Sequence, residues 1–307
     1  MEKLVVSDEY ESIRIDKYIS EMLDGSRSYL AGLISDGRVQ VNDKAVKASY
    51  KVAVGDIVMV DMPEILDLSE SVKPVDIPID IIYEDDDIII VNKPKGMVVH
   101  PAAGHIDDTL VNALLFHCGD SLSDINGVLR PGIVHRIDMD TTGLLVVAKN
   151  NNAHQSLSSQ LSVHSITRRY HAIVHGVLKE DSGTVNRPIG RHKTDRKKMA
   201  VDAPSSREAV THYKVLERFK DYTYIECELE TGRTHQIRVH MAYLNHPILG
   251  DQVYGPKKCP FKNLEGQTLH AKVLGFMHPS SGEYIEFDSE LPDYFKNLIE
   301  KLRALSQ

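Results

Sequence analysis

The chain has 307 residues, of which 42% are apolar and 26% are charged, and its net charge is −8. This balance is typical of a folded globular protein and excludes a disordered or collagen-like chain. The three cysteines, Cys118, Cys227 and Cys259, form no CxxC pair, which favours reduced thiols over a disulfide scaffold or a zinc site. The first 15 residues carry acids without an apolar core, and the longest apolar runs have the length of strands. We therefore expect a cytoplasmic protein without a secretion signal or a membrane span.

The acidic charge is concentrated in one segment. Residues 61–87 contain ten acids and one lysine, so the rest of the chain is close to neutral. Residues 187–198 contain six arginines and lysines and a single aspartate. Because the local field decides whether a surface binds a polyanion, this segment is predicted to be a surface loop that contacts RNA phosphates through Arg191, Lys197 and Lys198.

The acidic segment also predicts the domain boundaries. Residues 63–80 contain three prolines and alternating acids without a sustained apolar period, as expected for an extended, solvated linker. We therefore predict a small first domain, residues 1–62, and a larger second domain, residues 81–307. No internal repeat indicates a solenoid.

The first domain is predicted to contain two helices followed by two strands. Apolar residues at helical spacing begin at Ile15, and a second helical run ends at Gly37. An alternating strand with an Asn-Asp turn follows at residues 38–47, and a second strand follows Gly55. Over nearly its whole length this domain resembles the S4 RNA-binding domain, a small α/β fold. The resemblance and the basic side chains together predict RNA contacts, which would position the RNA without reading its sequence, at Arg14, Lys17, Arg27, Ser28, Arg38, Asn42 and Lys44.

The second domain contains short strands interspersed with helical stretches, which predicts an α+β fold around one sheet. Its densest polar segment is HRIDMDTTG, residues 135–143, directly before an apolar strand. His135, Asp138 and Asp140 are possible metal ligands, but their spacing does not match the usual helical pairs, so no metal is predicted. Asp138 and Asp140 are also a possible carboxylate pair of a glycosidase, and their spacing alone does not decide this.

Four motifs in this domain together resemble the RluA/RluD family of RNA pseudouridine synthases. The motifs, in chain order, are VNKPKGMVVHP (91–101), HRIDMDTTG (135–143), ITRRYHAIV (166–174) and TGRTHQIRVHM (231–241). An S4 domain before the catalytic domain is also an arrangement of that family. The resemblance implies a mixed, largely antiparallel sheet. Ile137 and Thr142 replace the more usual leucine and serine, which keeps the size of the first and the hydroxyl of the second.

The resemblance implies an isomerase that converts uridine to pseudouridine without a cofactor. It assigns the catalytic carboxylate to Asp138, its cationic partner to Arg238 and the aromatic platform for the base to Tyr170. The family's candidate for filling the space of the extruded uridine is Arg136. The residues predicted to bind substrate are Arg136, Ile237, His135, Arg233, Lys93 and His100. Of these, His135 is expected to orient its loop rather than to transfer protons.

The implied substrate is structured RNA, and large-subunit (23S) ribosomal RNA or a ribosomal precursor particle is the expected partner. We expect a monomer without membrane contact. A noncatalytic RNA-binding or ribosome-assembly protein of the same fold is the alternative, although the presence of Asp138, Tyr170 and Arg238 argues against it. A glycosidase is a weaker alternative, because it would need a second essential carboxylate and leaves the S4-like domain unexplained.

Overall fold

A computed structural model gives the structure of the chain. It describes residues 2–23, 27–61, 72–102, 104–119, 121–125, 130–195, 197–261 and 264–306, without the side chains of residues 27–29 and 31. The chain divides into two compact units, residues 1–68 and 69–307. Each unit has its own hydrophobic core.

The first unit is a four-stranded antiparallel sheet with two helices. The sheet order is β1-β4-β2-β3. The elements are β1 (Glu2–Val5), α1 (Ile15–Met22), α2 (Arg27–Ser35), β2 (Val39–Val41), β3 (Lys44–Ala45) and β4 (Ile57–Val60). The predicted helices and the strands after them are confirmed. Strand β1 was missed, because four residues with an exposed-exposed-intermediate-exposed pattern carry no clear alternation.

The β2–β3 hairpin turns at Asn42 and Asp43, whose φ angles are 48° and 63°. Asn42 donates a hydrogen bond to Asp56 Oδ1 over 2.8 Å and accepts one from the Ile57 backbone over 3.0 Å. Its amide is therefore occupied in holding the turn against β4. The expectation that Asn42 contacts RNA is not supported by this geometry.

Part of the predicted linker lies against the second unit. Residues 62–71 are outside the described residues, so the boundary at residue 62 stays a prediction. Asn112 donates a hydrogen bond to the Lys73 carbonyl over 2.9 Å, and Val75 donates one to the Asn112 carbonyl. Val72 and Ile79 pack on the core of the second unit. The prediction of a solvated linker is therefore wrong for residues 72–80. Val72 and Ile79 pack against the apolar core of the second unit and are not fully solvated.

The second unit is built around a mixed, largely antiparallel sheet, as the resemblance implies. Its order is β5-β6-β7-β14-β8-β13-β12-β9, with β15 paired to β14, and the β7–β14 pair is parallel. The strands are β5 (Asp80–Glu84), β6 (Ile88–Lys93), β7 (Thr142–Ala148), β8 (Thr167–His175), β9 (Ser182–Asn186), β12 (Val210–Arg218), β13 (Tyr222–Leu229), β14 (Leu269–Met277) and β15 (Tyr284–Asp288). The helices are α3 (Leu110–Cys118), α4 (Asn151–Ser162), α5 (Gln236–Tyr243) and α6 (Asp293–Ser306). No helix in the described ranges is long and apolar enough to cross a membrane.

Both faces of the central strands are buried. Leu145 and Val147 of β7 belong to one core cluster, while Leu144 and Val146 belong to another. Successive strand residues point to opposite faces, so the apolar run of β7 fills both cores. At the start of β7, a Cβ on Gly143 would lie 2.2 Å from the Ala271 carbonyl oxygen. Position 143 therefore requires a glycine, because a side chain would collide with the backbone of β14. The close approach of the two strands fixes the position at which the polar segment joins the sheet.

The basic segment 187–198 is not a simple loop. It contains β10 (Ile189–Arg191), which pairs antiparallel with β11 (Met199–Val201). Ile189 is buried with Ala209 and Val239. Met199 and Val201 of β11 pack against the same cluster, so the hairpin is anchored by apolar residues of both strands, which corrects the prediction of a loop.

Candidate active site

The polar segment before β7 is fixed at several points. His135 Nε2 accepts a hydrogen bond from the Val146 backbone over 3.1 Å, and the Asp138 carbonyl accepts one from Thr141 over 3.0 Å. Burial lowers the pKa of His135 to about 3, helped by the charge of Arg168, so the ring is neutral. His135 therefore orients the segment, in agreement with the sequence prediction.

Lys93 ties this segment to the loop after β6. Its ammonium is fully buried and donates to the carbonyls of Pro94, Met97 and Met139, each over 2.8 Å. Burial lowers the pKa of Lys93 to about 7, against the opposing effect of Asp140 and Asp138. A side chain enclosed in this way does not reach a substrate. The prediction of Lys93 as a binding residue is therefore wrong, and its role is structural.

Lys93→Met is expected to lower the free energy of unfolding by about 2–4 kcal/mol, because three buried carbonyls lose their donor. Denaturant unfolding measures this change. Lys95→Met is the matched control, since the Lys95 ammonium forms no hydrogen bond within the described residues and instead lies 4.2 Å from the centre of the Tyr294 ring. An equal loss in both variants would contradict the account.

The central feature is an arginine clamped between two carboxylates. Arg238 Nη1 lies 2.9 Å from Asp138 Oδ2, which is the pair that the resemblance implies. On its other side, Arg238 donates to Asp251 through Nε over 2.7 Å and through Nη2 over 3.0 Å. Val253 and Tyr254 donate backbone hydrogen bonds to the same Asp251 carboxylate. The fork geometry fixes the guanidinium, and the guanidinium fixes Asp138.

Opposite charges keep Arg238 and Asp251 ionised although both side chains are buried. Burial alone would lower the pKa of Arg238, but its hydrogen bonds and the charges of Asp251 and Asp138 raise it above the ordinary value. Burial alone would raise the pKa of Asp251, and the hydrogen bonds and charge of Arg238, with two backbone donors, lower it instead. Because Arg238 uses Oδ2 of Asp138, the other oxygen, Oδ1, is not engaged by the guanidinium.

Two adjoining cavities meet at this carboxylate. The smaller, of about 60 Å³, has Asp138, Tyr170 and Ile237 in its wall. The larger, of about 340 Å³, is lined by polar side chains that include Arg136, Arg168 and Arg233. Both cavities share the residues Arg136, Asp138, Tyr170, Leu229, Arg233 and His235. The arrangement is a narrow pocket that opens into a wider cationic groove.

Strand β8 and helix α5 supply the pocket wall. Tyr170 lies between Cys227 of β13 and Ala271 of β14 and is 8% exposed. Burial raises the pKa of Tyr170, so its phenol stays protonated and presents a neutral aromatic face. Helix α5 begins directly after His235, whose backbone is left-handed (φ 58°). The helix carries Ile237 and Arg238. His235 Nε2 lies 3.8 Å from Asp138 Oδ1.

The remaining residues of the motifs differ in whether they line the cavities. Arg136 is exposed and lines both cavities, and Arg233 lines them while donating to the Glu208 carbonyl over 2.8 Å. His100 is buried, and burial lowers its pKa to about 4, helped by the charges of Arg136 and Arg130. Asp140 lines neither cavity, and its carboxylate lies against Gly266.

The possible metal ligands do not come together at this site. His135 bonds to β7 and Asp140 faces Gly266, away from Asp138. In the described ranges, the group of three close ligand atoms is a different one, formed by Asp85, Asp87 and His278. His278 hydrogen bonds to Asp85 over 2.8 Å there, and Asp87 accepts a hydrogen bond from Asn150 over 2.8 Å.

The predicted RNA-contacting side chains of the first unit are exposed. Arg14 pairs with Asp16 over 2.9 Å, Lys17 with Glu21 over 3.7 Å and Arg38 with Asp61 over 3.3 Å, all near the surface. Exposed pairs of this kind are weak and exchange readily for phosphate. Lys44 is also exposed, whereas the side chains of Arg27 and Ser28 lie outside the described part of the structure.

In the second unit, Arg191 and Lys197 are exposed on the β10–β11 hairpin and Lys198 is half-buried. The hairpin tip is held by His192, whose Nδ1 accepts from the Asp195 backbone over 3.1 Å.

Three site residues were missed from the sequence. Asp251 orients Arg238, His235 faces Asp138, and Arg168 lines the groove. Asp251 lies in a loop with no recognisable spacing to the motifs, so nothing in the sequence separates it from other aspartates. Arg168 and His235 stand inside quoted motifs, and the alternation of β8 places Arg168 on the face of Tyr170.

Comparison with known proteins agrees with this geometry. Residues 87–243 match the family described as RNA pseudouridylate synthase, and residues 13–58 match the S4 domain. An uncharacterized RNA pseudouridine synthase, YlyB of Bacillus subtilis, is 54% identical over 301 residues, covering 98% of this chain and 97% of that protein. Ribosomal large subunit pseudouridine synthase D of Zymomonas mobilis is 45% identical, with the same two coverages.

Solved structures agree as well. Human RNA Pseudouridylate Synthase Domain Containing 1 superposes with a TM-score of 0.57 at 25% identity, covering 74% of this chain and 95% of that one. The fold, the carboxylate-arginine clamp and the full-length relatives lead to one conclusion: the chain belongs to the RNA pseudouridylate synthase family.

Proposed function

We propose that the protein isomerises specific uridines of large-subunit ribosomal RNA to pseudouridine, with Asp138 as the catalytic carboxylate. The observation that carries the proposal is the clamp, in which Arg238 holds one oxygen of Asp138 and leaves the other at the wall of the pocket. The relatives named for the large ribosomal subunit cover nearly the whole chain, which supports the substrate class.

The reaction exchanges one carbon–nitrogen bond for one carbon–carbon bond. The bond between ribose C1′ and uracil N1 breaks, the base turns, and C5 bonds to C1′. C5 loses its proton and N1 gains one, so atoms and electrons balance without an oxidant or an energy source. Asp138 Oδ1 acts on the sugar, either by attack at C1′ or by removal of a proton at C2′.

A uridine within folded RNA reaches this pocket only if it is extruded from its helix. Tyr170 then provides a flat face on which the base turns without fixed edge contacts, and Ile237 forms another part of the pocket wall. Arg136, exposed at the mouth, occupies the space that the base vacates. The single carboxylate in the cavity walls favours this reaction over glycoside hydrolysis, which needs two.

Tyr170→Phe is expected to keep most of the activity, because stacking needs the ring and not the hydroxyl. Tyr170→Leu is expected to lower kcat/KM about 10- to 100-fold, as aromatic stacking contributes about 1–3 kcal/mol per base. Single-turnover rates on ribosomal RNA measure both. A phenylalanine variant as impaired as the leucine variant would show that the hydroxyl takes part.

RNA binding is proposed to involve both units, through basic side chains that position the RNA. In the first unit these are Arg14, Lys17, Arg27, Ser28, Arg38 and Lys44. In the second unit they are Arg191, Lys197 and Lys198 on the hairpin, with Arg233 in the groove. A monomer acting in the cytoplasm on ribosomal RNA or a ribosomal precursor particle remains the proposed working form.

The test is tritium release from C5-labelled uridine. Transcribed large-subunit ribosomal RNA, small-subunit ribosomal RNA and transfer RNA are each incubated with the protein in the presence of EDTA. Release from the large-subunit RNA alone supports the proposal. Release only from another RNA would overturn the substrate class, and no release from any RNA or from ribosomal subunits would favour the noncatalytic RNA-binding alternative.

A further inference from the structure

Arg168 is a buried cation without a counter-ion. Its side chain is 6% exposed, and within the described residues its guanidinium forms no ion pair with a carboxylate. Nη2 donates to the Glu230 carbonyl over 3.0 Å, whereas Nε has no hydrogen-bond partner. Buried charges in folded proteins are ordinarily paired. An unpaired guanidinium in the wall of a cavity therefore indicates a missing anion.

The groove around Arg168 carries excess positive charge. Arg136 and Arg233 line the same 340 Å³ cavity, and its one carboxylate, Asp138, is already paired with Arg238. Burial lowers the pKa of both His135 and His235, which favours their neutral rings, so neither histidine alters the charge balance of the cavity. Three guanidiniums thus face one cavity that contains no free acid.

The backbone beside Arg168 is shaped to admit its guanidinium. A Cβ on Gly232 would lie 2.6 Å from Arg168 Nη1. Any residue larger than glycine at position 232 would push the guanidinium from its place in the wall. Gly232 lines the same cavity, so the space it leaves open is part of the groove.

We propose that Arg168, with Arg136 and Arg233 beside it, binds a phosphodiester of the RNA strand next to the target uridine. Guanidinium groups match phosphate oxygens in a planar fork. The groove adjoins the pocket and shares Asp138 and Tyr170 with it. The pocket for the base and the groove for the phosphate are therefore adjacent. The inference rests on the proposed RNA substrate and adds a binding subsite to it.

The salt dependence of RNA binding tests the proposal. The affinity for transcribed large-subunit ribosomal RNA is measured between 50 and 300 mM KCl, concentrations of about the range over which phosphate contacts weaken. For Arg168→Gln we expect about a 5- to 10-fold loss of affinity at low salt and a slope of log K against log salt that is smaller by about 0.7 to 1. Arg168→Lys keeps the charge, so its slope is expected to match that of the intact protein.

Arg169→Gln is the matched control. It removes the same charge from the neighbouring position on β8, but Arg169 faces the other side of the strand and donates to Glu286 over 2.9 Å. Its slope is expected to stay unchanged. Gly232→Ala is a second variant that displaces the guanidinium without removing it, and it is expected to weaken binding like Arg168→Gln.

Equal slopes for Arg168→Gln, Arg169→Gln and the intact protein would overturn the subsite. If Arg168 had a purely structural role, Arg168→Gln would also leave the slope unchanged. Loss of the bond to Glu230 does not alter the number of phosphates that are neutralised. The slope is a binding measurement and needs no turnover. Failure of tritium release by the intact protein would therefore overturn the proposed reaction, and an unchanged slope would overturn only the subsite.

Discussion

Asp138→Asn is expected to abolish tritium release from C5-labelled ribosomal RNA, with a loss in rate of about 10³-fold or more. Asparagine keeps the shape of the side chain but offers no ionised oxygen to the sugar. RNA affinity is expected to stay nearly unchanged, since the cationic groove and the basic surfaces remain. Filter binding and single-turnover release, measured on the same preparations, separate the two effects.

Asp140→Asn is the matched control for this variant. Asp140 is two residues away, carries the same group and lies against Gly266 outside both cavities. Its replacement is expected to leave the reaction intact. Equal loss in both variants would show that Asp140 also takes part in the isomerisation, and release by Asp138→Asn would show that another residue is the catalytic carboxylate.

Breaking the arginine clamp is expected to have the second-largest effect. Arg238→Met leaves Asp138 and Asp251 without their cation, and we expect at least about a 100-fold loss of kcat, of the size seen when a group that stabilises charge in a reaction is removed. Arg238→Lys keeps a charge but cannot bridge two carboxylates, so it is expected to recover little activity.

Asp251→Asn tests the clamp from its buried end. We expect a loss of about 3 kcal/mol in the free energy of unfolding, as when one partner of a buried ion pair is removed. The pKa of Asp251 is lowered in the folded state, so its contribution to stability is present above its unfolded pKa of about 4 and is lost as the pH falls further. The asparagine variant is expected to lack this acid dependence, which urea unfolding at several pH values measures. Unchanged stability and activity would show that Asp251 does not support Arg238.

Local patterns predicted much of the fold. The Asn42–Asp43 turn, the helix that contains Ile237 and the buried strand β7 were all visible in short stretches of sequence, because their conformations depend on neighbouring residues. Short elements were harder to predict. Strand β1 has little alternation. The many charges of residues 187–198 predicted a loop, so the buried Ile189 was not recognised as part of a strand.

The site was predictable only where a motif carried the information. Asp138 and Arg238 are 100 residues apart, and their pairing was inferred from resemblance and then found at 2.9 Å. Lys93 was predicted to bind substrate, although it is buried in the structure. Its burial depends on carbonyls from two separate loops, which only the folded chain brings together. Asp251 depends on tertiary structure in the same way.

The most direct test of the central claim is a nucleoside inventory of the product RNA. Large-subunit ribosomal RNA is incubated with the intact protein or with Asp138→Asn, digested completely, and analysed for uridine, pseudouridine and free uracil. We predict that the intact protein converts uridine to an equal amount of pseudouridine without free uracil, and that the variant converts none. Release of free uracil, or an unchanged inventory with the intact protein, would contradict the account.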